Sequence, residues 1–188
     1  KKIFIGLLSL AVGLYLLICF LAYFFQESLI FHPTKLSKET KFNFDSTCTE
    51  RFFYIPTGDT LHGLYFNSDS SKGLVFYLHG NAGAVDTWGQ AHETYTELGY
   101  DFFILDYPGF GKSTGEIYSE EQFHLGIEYA YTVLTNEVKE KDITVIGYSI
   151  GTGPAAYLAS QHKPKQLILQ APYYSLVDLS QQTYPFLP

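Results

Sequence analysis

The sequence has no methionine, one tryptophan and only two cysteines among 188 residues, and basic side chains are scarce. Cys19 and Cys48 lie far apart, so they indicate neither a disulfide framework nor a metal-binding C-x-x-C pair. Twelve Lys and Arg residues stand against nineteen Asp and Glu residues, and the formal net charge is −7. Such an acidic chain lacks the clustered cations that bind a phosphate backbone, which excludes nucleic acid as a main partner.

Apolar residues make up 46% of the chain and aromatic residues 18%. This composition excludes intrinsic disorder and allows a packed core. The length beyond residue 25 suits one domain rather than two. Because methionine is missing even at position 1, and residues 185–188 look like the middle of a domain, we expect the chain to be a trimmed one.

The amino terminus carries a long uncharged apolar run, Ile3–Phe25. At ~1.5 Å per helical residue it reaches ~34 Å, enough to cross a hydrocarbon layer of ~30 Å. We therefore predict a transmembrane anchor over residues 1–27, with a lipid bilayer as partner of residues 3–25, and a separate folded domain over 28–188. A signal peptide or a buried helix is the alternative, although a signal peptide's apolar region is shorter and ends in small residues.

The side of the membrane on which the domain lies stays open. Lys1 and Lys2 favour an inside amino terminus, but Lys35, Lys38 and Lys41 beyond the span weaken that bias.

Beyond the span, β-prone runs alternate with helical patterns. Two short runs flank the turn Pro56–Asp59 and predict a hairpin, and four apolar runs with helices between them follow. The pattern predicts an α/β domain with a doubly wound, mostly parallel sheet. The predicted strands are 51–55, 61–66, 74–78, 102–105, 143–146 and 166–169, and the predicted helices are 87–98, 119–135 and 152–160.

The turn after the fifth predicted strand reads Gly147-Tyr148-Ser149-Ile150-Gly151. A G-x-S-x-G between a buried strand and a helix strains the backbone at the serine and exposes its hydroxyl. Ser149 is therefore the candidate nucleophile. The alternative is a glycine-rich turn whose serine has no catalytic role.

Acyl transfer also needs two N–H donors for a tetrahedral oxyanion. The backbone of Ile150, directly after the serine, is one candidate. The turn His79-Gly80-Asn81-Ala82-Gly83 follows another buried strand and supplies the second. We choose the backbone N–H of Asn81, with that of Ala82 as the alternative. His79 follows the strand immediately, so we expect it to brace the turn rather than act as a base.

Three motifs, in this order and spacing, resemble the α/β-hydrolase superfamily: Leu78–Asn81 (LHGN), Asp106–Ser113 (DYPGFGKS) and Gly147–Gly151 (GYSIG). The apolar run and Phe31-His32-Pro33 add a resemblance to its membrane-anchored serine hydrolases, which include lysophospholipases and acyl-protein thioesterases. The resemblance covers about residues 28–188. It implies a serine esterase, lipase or thioesterase that uses an acyl-enzyme.

The resemblance also implies a triad in the order Ser, Asp or Glu, His, with the last two after the seventh and eighth strands. Six strands are predicted here, so we expect the triad acid and histidine outside this chain, and the chain as given to be close to inert. Asp178 follows the sixth strand, where some relatives place the acid, although a helix cap is the simpler explanation. His162 lies at a helix end, where a cation suits the dipole.

Two glycine-rich segments resemble cofactor motifs, and neither has the full pattern. A phosphate-binding loop ending in Gly111-Lys112-Ser113 would need glycine at position 106, which is Asp. The segment Gly151–Ala156 fits G-x-G-x-x-A but lies inside a predicted helix with no acid about 20 residues further on. We expect no cofactor and no metal.

The sequence therefore predicts a membrane-bound serine hydrolase that cleaves an ester or thioester of a lipid-like or small-molecule acyl substrate. A peptidase or small-ester hydrolase on the same fold is one alternative. A membrane-tethered scaffold without activity is the other.

Overall fold

The computed structural model describes residues 1–44, 48–56 and 58–186. They fall into two compact units, one made of residues 1–31 with those from 174 onward, the other of residues 32–173. The predicted hairpin turn Pro56–Asp59 contains Thr57, which lies outside the described residues.

Seven α-helices occur in the described part of the chain, joined by short 3₁₀ turns. They are α1 (Lys2–Phe24), α2 (Gln26–Ile30), α3 (Val85–Trp88), α4 (His92–Glu97), α5 (Glu120–Thr135), α6 (Thr152–Gln161) and α7 (Leu176–Thr183).

The first unit contains α1, α2 and α7. α1 has 23 residues and a mean hydropathy of 2.6, and none of its residues is buried. It is long and apolar enough to cross a membrane, and a signal sequence near the amino terminus would meet the same description. α7 begins after Ser175, whose Oγ accepts a hydrogen bond from the backbone N–H of Asp178 at 3.0 Å.

The second unit is built on a six-stranded sheet. Its strands, in the order in which they lie side by side, are β2 (Cys48–Tyr54), β3 (Thr60–Phe66), β6 (Asp101–Leu105), β4 (Leu74–Leu78), β7 (Ile143–Tyr148) and β8 (Gln166–Gln170); β1 (His32–Pro33) and β5 (Ala82–Gly83) form a separate parallel pair. β6, β4, β7 and β8 are parallel, whereas β2 and β3 form an antiparallel hairpin beside β6. The predicted α/β class with a mostly parallel sheet is confirmed.

The central strands are mainly apolar and buried, because both faces of the sheet are covered. Phe76 of β4 points to one face, where its ring lies 5.4 Å from that of Tyr131 on α5. Phe102 of β6 points to the other face and stacks on Tyr95 of α4, also at 5.4 Å. Alternate residues of each strand thus pack against different helices.

The helical stretch predicted over residues 87–98 is present, but it is not one continuous α-helix. The chain instead forms α3, a 3₁₀ turn over Gly89–Ala91, and α4. Gly89 packs against the ring of Phe44, where an added Cβ would lie 2.7 Å from the Phe44 Cζ. The close contact and the low helix propensity of glycine interrupt the helix at this point. α7 was not predicted.

Candidate active site

Ser149 lies between β7 and α6, at the carboxyl end of a central strand. Its φ is +51°, and Ala171 is the only other non-glycine residue with positive φ in the described part of the chain. This left-handed conformation costs a serine on the order of 1–3 kcal/mol, so the surrounding structure must hold it. Ser149 is half-buried, and its carbonyl accepts a hydrogen bond from the Thr152 Oγ1 at 2.6 Å.

Gly151, two residues on, lets the chain approach the neighbouring strand. A Cβ at Gly151 would overlap the carbonyl oxygen of Leu78 and lie 2.7 Å from that of His79. Leu78 and Gly147 are register partners in the adjacent parallel strands β4 and β7. The turn that carries Ser149 and the turn that follows Leu78 therefore leave the sheet side by side.

Ile150, the candidate oxyanion donor next to the nucleophile, is buried at the start of this turn. Its carbonyl accepts a hydrogen bond from the hydroxyl of Tyr173 at 3.4 Å. Tyr173 follows β8, and sequence reasoning gave it no role. A tyrosine after the edge strand carries no pattern that distinguishes it from other aromatic residues.

In the turn after Leu78, each carbonyl oxygen from Gly80 to Gly83 accepts a hydrogen bond. Gly80 O accepts from the His79 ring Nδ1 at 2.7 Å, and Ala82 O accepts from the indole N–H of Trp88 at 2.7 Å. Asn81 O and Gly83 O accept from the backbone N–H groups of residues 32 and 34, at 2.8 and 2.9 Å. Four consecutive carbonyl oxygens of this turn are therefore fixed by four separate donors.

The direction of these carbonyl groups sets the direction of the amides that follow them. In a trans peptide the C=O and the next N–H point in opposite directions. The N–H of Asn81 therefore points away from the His79 ring nitrogen, and that of Ala82 points away from the backbone of residue 32. These are the two amides between which sequence reasoning had to choose, and both have fixed orientations.

A buried carboxylate holds the start of α3, directly after this turn. Asp106 follows β6, and its Oδ1 accepts from the backbone N–H of Val85 at 2.9 Å. Its Oδ2 lies 3.0 Å from the Nδ1 of His62, whose Nε2 lies 3.1 Å from Glu50. Lys112 in turn pairs with Glu50 at 2.7 Å. The motif DYPGFGKS thus contributes a structural charge network, and sequence reasoning had assigned Asp106 no such role.

His79 is completely buried, and it lies under the turn. Its ring stacks on that of Tyr107 at 4.1 Å, and the Tyr107 hydroxyl donates to the His79 carbonyl at 2.7 Å. Burial lowers the pKa of His79, although Asp106 and the Gly80 carbonyl act in the opposite direction. Because that carbonyl accepts a hydrogen bond, Nδ1 carries the proton; Nε2 is buried without a partner among the described residues.

Two further candidates from the sequence have local partners. Asp178 is in the first turn of α7, in the first unit, and its carboxylate accepts from the Gln182 amide at 2.8 Å. His162 ends α6 and lies 3.0 Å from Glu128 and 3.5 Å from Glu140. Groups of three or more His, Cys, Asp or Glu side chains suited to a metal are absent from the described residues.

The strand order, the strained serine turn and the adjacent glycine-rich turn together define a hydrolase-type α/β fold. A family model described as "alpha/beta hydrolase fold" matches residues 73–183, which is more than half of the chain. The chain therefore belongs to the α/β hydrolase family.

Among curated proteins, the chain is 31% identical over 124 residues to the lysophosphatidylserine lipase ABHD12 of Danio rerio, covering 62% of this chain and 32% of that protein. It is 32% identical over 114 residues to the human alpha/beta hydrolase domain-containing protein 17B, covering 57% and 38%. The chain spans between about a quarter and a half of the length of the first such relatives.

Solved structures share the fold. An esterase of Pyrococcus furiosus superposes with a TM-score of 0.64 at 19% identity, covering 85% of this chain and 63% of the esterase. The thioesterase domain from the curacin biosynthetic pathway gives 0.54 at 20% identity, covering 73% and 52%.

Proposed function

We propose that this chain carries the nucleophile and the oxyanion hole of a membrane-anchored serine hydrolase. Ser149 Oγ attacks the carbonyl carbon of an ester or thioester, and an acyl-enzyme forms as the alcohol or thiol leaves. The backbone N–H groups of Ile150 and Asn81 stabilise the oxyanion. The observation that carries the proposal is the positive φ of Ser149 at the end of a central strand, next to a turn with fixed amide directions.

A serine hydroxyl is a weak nucleophile without a base. His62 and His162 face carboxylates, and the Nδ1 atoms of His79 and His92 bond backbone carbonyls. His124 stacks on Tyr157 with ring centroids 4.3 Å apart. None of these bonds joins a histidine to Ser149, and we expect the catalytic histidine and the triad acid to come from chain outside this sequence, as the family resemblance implies; Asp178 remains the less favoured candidate for the acid.

The domain boundaries and the substrate class belong to the same proposal. Residues 1–27 are the anchor and residues 28–188 belong to the hydrolase domain. An anchored domain works beside a pool of lipid, and α1 has the length and apolarity for this. A relative named for lysophosphatidylserine lipase activity and a neighbour named as a thioesterase support a lipid-like acyl ester or thioester.

The nucleophile is tested by fluorophosphonate labelling of the full natural chain. We expect labelling of the wild type and none of Ser149→Ala. The matched control is Ser160→Ala, which removes an exposed hydroxyl from α6 and should label like the wild type. Equal labelling of Ser149→Ala and the wild type would remove Ser149 from the mechanism, and a wild type that neither labels nor hydrolyses any ester would favour the inactive scaffold.

The substrate class is tested by comparing kcat/KM for four substrates: a lysophospholipid, a long-chain acyl thioester, an acetyl ester and a peptide amide. We expect kcat/KM to be at least about 10-fold higher for a lysophospholipid or long-chain acyl thioester than for an acetyl ester, because each buried methylene adds ~0.8 kcal/mol. Faster cleavage of the acetyl ester, or cleavage of a peptide amide, would support the small-ester hydrolase or the peptidase instead.

A further inference from the structure

Residues 32–34, here termed the strap, follow α2 and run alongside the turn that carries Asn81. His32 and Pro33 pair in parallel with Ala82 and Gly83. The backbone N–H of His32 donates to Asn81 O at 2.8 Å, and that of Thr34 donates to Gly83 O at 2.9 Å. These two bonds fix the carbonyls on either side of Ala82.

The bond from His32 fixes the direction of the Ala82 amide, the alternative oxyanion donor, and it also holds Asn81, whose own N–H is the donor in the proposed function. It holds the peptide between Asn81 and Ala82 with its carbonyl towards the strap and its N–H in the opposite direction. The bond from Thr34 fixes the peptide after Gly83 in the same way. An amide that is aimed before the reaction stabilises an oxyanion without reorganising during it.

The strap has a second attachment, which makes it a support for the turn. The N–H of Gly111 donates to Thr34 O at 2.8 Å, and just beyond the strap the N–H of Leu36 donates to Gly111 O at 2.8 Å. Gly111 abuts the Asp106 carboxylate, and an added Cβ would overlap that carboxylate. Asp106 in turn accepts the N–H of Val85. The strap thus bonds on one side to the turn 79–83, here termed the oxyanion turn, and on the other side to the loop that holds α3.

We propose that the strap is a positioning element for catalysis, in which the backbone N–H groups of His32 and Thr34 hold the oxyanion turn in its productive geometry. The inference rests on the proposed function of Ser149 and the turn 79–83. In this proposal the strap residues make no contact with the reacting atoms. They act through the peptides on either side of Ala82.

The test removes one strap donor in the full natural chain. Thr34→Pro deletes the N–H that bonds Gly83, and Lys35→Pro is the matched control. The control places proline at position 35, where the N–H donates no backbone hydrogen bond to a described residue. Should proline at position 34 prevent folding, threonine's α-hydroxy acid at that position replaces only the N–H by oxygen.

The measurements separate positioning from general structural support. The substrate is p-nitrophenyl octanoate, and octyl trifluoromethyl ketone serves as inhibitor because its serine adduct carries an oxyanion. For Thr34→Pro we expect kcat and inhibitor affinity to fall together by about 10-fold to 100-fold, the range that small misplacements of catalytic groups produce. KM and inhibition by octanoate should match those of Lys35→Pro, and the melting temperature should fall only by the few degrees that one lost hydrogen bond costs.

The outcomes are distinct from those that test the nucleophile. If the wild type is active and labels at Ser149, but Thr34→Pro keeps kcat and ketone affinity within about twofold of Lys35→Pro, the strap has no positioning role. A rise in KM with unchanged kcat overturns the inference as well. Absence of labelling and of hydrolysis in the wild type overturns the proposed function, and the inference fails with it.

Discussion

His79 shows how a single buried side chain links the candidate site to pH. Burial lowers its pKa below the ordinary histidine value, and the ring remains neutral under the turn 79–83. In the unfolded chain the pKa is about 6.5. Between the lowered folded value and about 6.5 the unfolded state binds more protons, so the free energy of unfolding falls as the pH drops through this window.

We expect the free energy of unfolding to depend less steeply on pH in His79→Phe, which retains a flat ring against Tyr107 but cannot take up a proton. The variant will be less stable at pH 7.5, since it loses the bond to the Gly80 carbonyl. The readout is the melting temperature in detergent from pH 7.5 to 5. Exposed His32→Phe is the control and should follow the wild-type profile. An unchanged slope in His79→Phe would show that other groups cause the acid sensitivity.

The elements around Ser149 depend on close approach of two backbones. Gly151 faces the carbonyls of Leu78 and His79, which belong to the strand and turn beside it and cannot move independently. Gly126 on α5 provides a contrast, because an added Cβ there would meet only side-chain atoms, the nearest being Leu61 Cδ1 at 3.0 Å. A Gly→Ala substitution should therefore lower the free energy of unfolding more at position 151 than at position 126.

Gly151→Ala should destabilise the protein by roughly 1–3 kcal/mol, as overpacking does elsewhere, and lower kcat. Gly126→Ala should stay within about 1 kcal/mol of the wild type, because helix propensity gained offsets the tight contact. Urea unfolding followed by the fluorescence of Trp88, the one tryptophan, measures both. The ring centroids of Trp88 and Tyr148 lie 5.2 Å apart, so the fluorescence of Trp88 also reports on the surroundings of Ser149. Equal destabilisation of the two variants would contradict the argument.

Sequence patterns predicted the elements that have strong local signals. The buried strands are mainly apolar runs, and the helix predicted over 119–135 is α5, whose first turn is capped by Ser119 through a bond from the N–H of Gln122 at 3.1 Å. The strap was not predictable, because β1 has two residues and pairs with residues far along the chain through backbone atoms alone. The bond from the Val85 N–H to Asp106 is similarly hidden from sequence patterns, since every residue type except proline would supply the same N–H at position 85.

At the scale of the whole molecule, α1 determines whether the protein is held at a membrane. The helix is uncharged from Ile3 onward, and its side chains are not buried in the structure. A core helix of a soluble protein would be mostly buried, so exposure favours a membrane span or a signal sequence. The two differ in whether the segment is retained in the mature protein.

We expect the mature protein to retain residues 1–25 and to stay in the membrane pellet after alkaline carbonate extraction. A Leu10→Lys/Leu14→Lys variant should move to the supernatant, because each lysine at the centre of a span costs about 2.5–3.5 kcal/mol. Gly6→Ala/Gly13→Ala is the control: it keeps the helix apolar, an added Cβ meets no atom within 4 Å at either position, and the protein should stay in the pellet. Mass spectrometry of the amino-terminal peptide completes the test. Loss of that peptide would identify a cleaved signal sequence. The anchor and the lipid preference inferred from it would then be abandoned. The roles proposed for Ser149 and the strap would be unaffected.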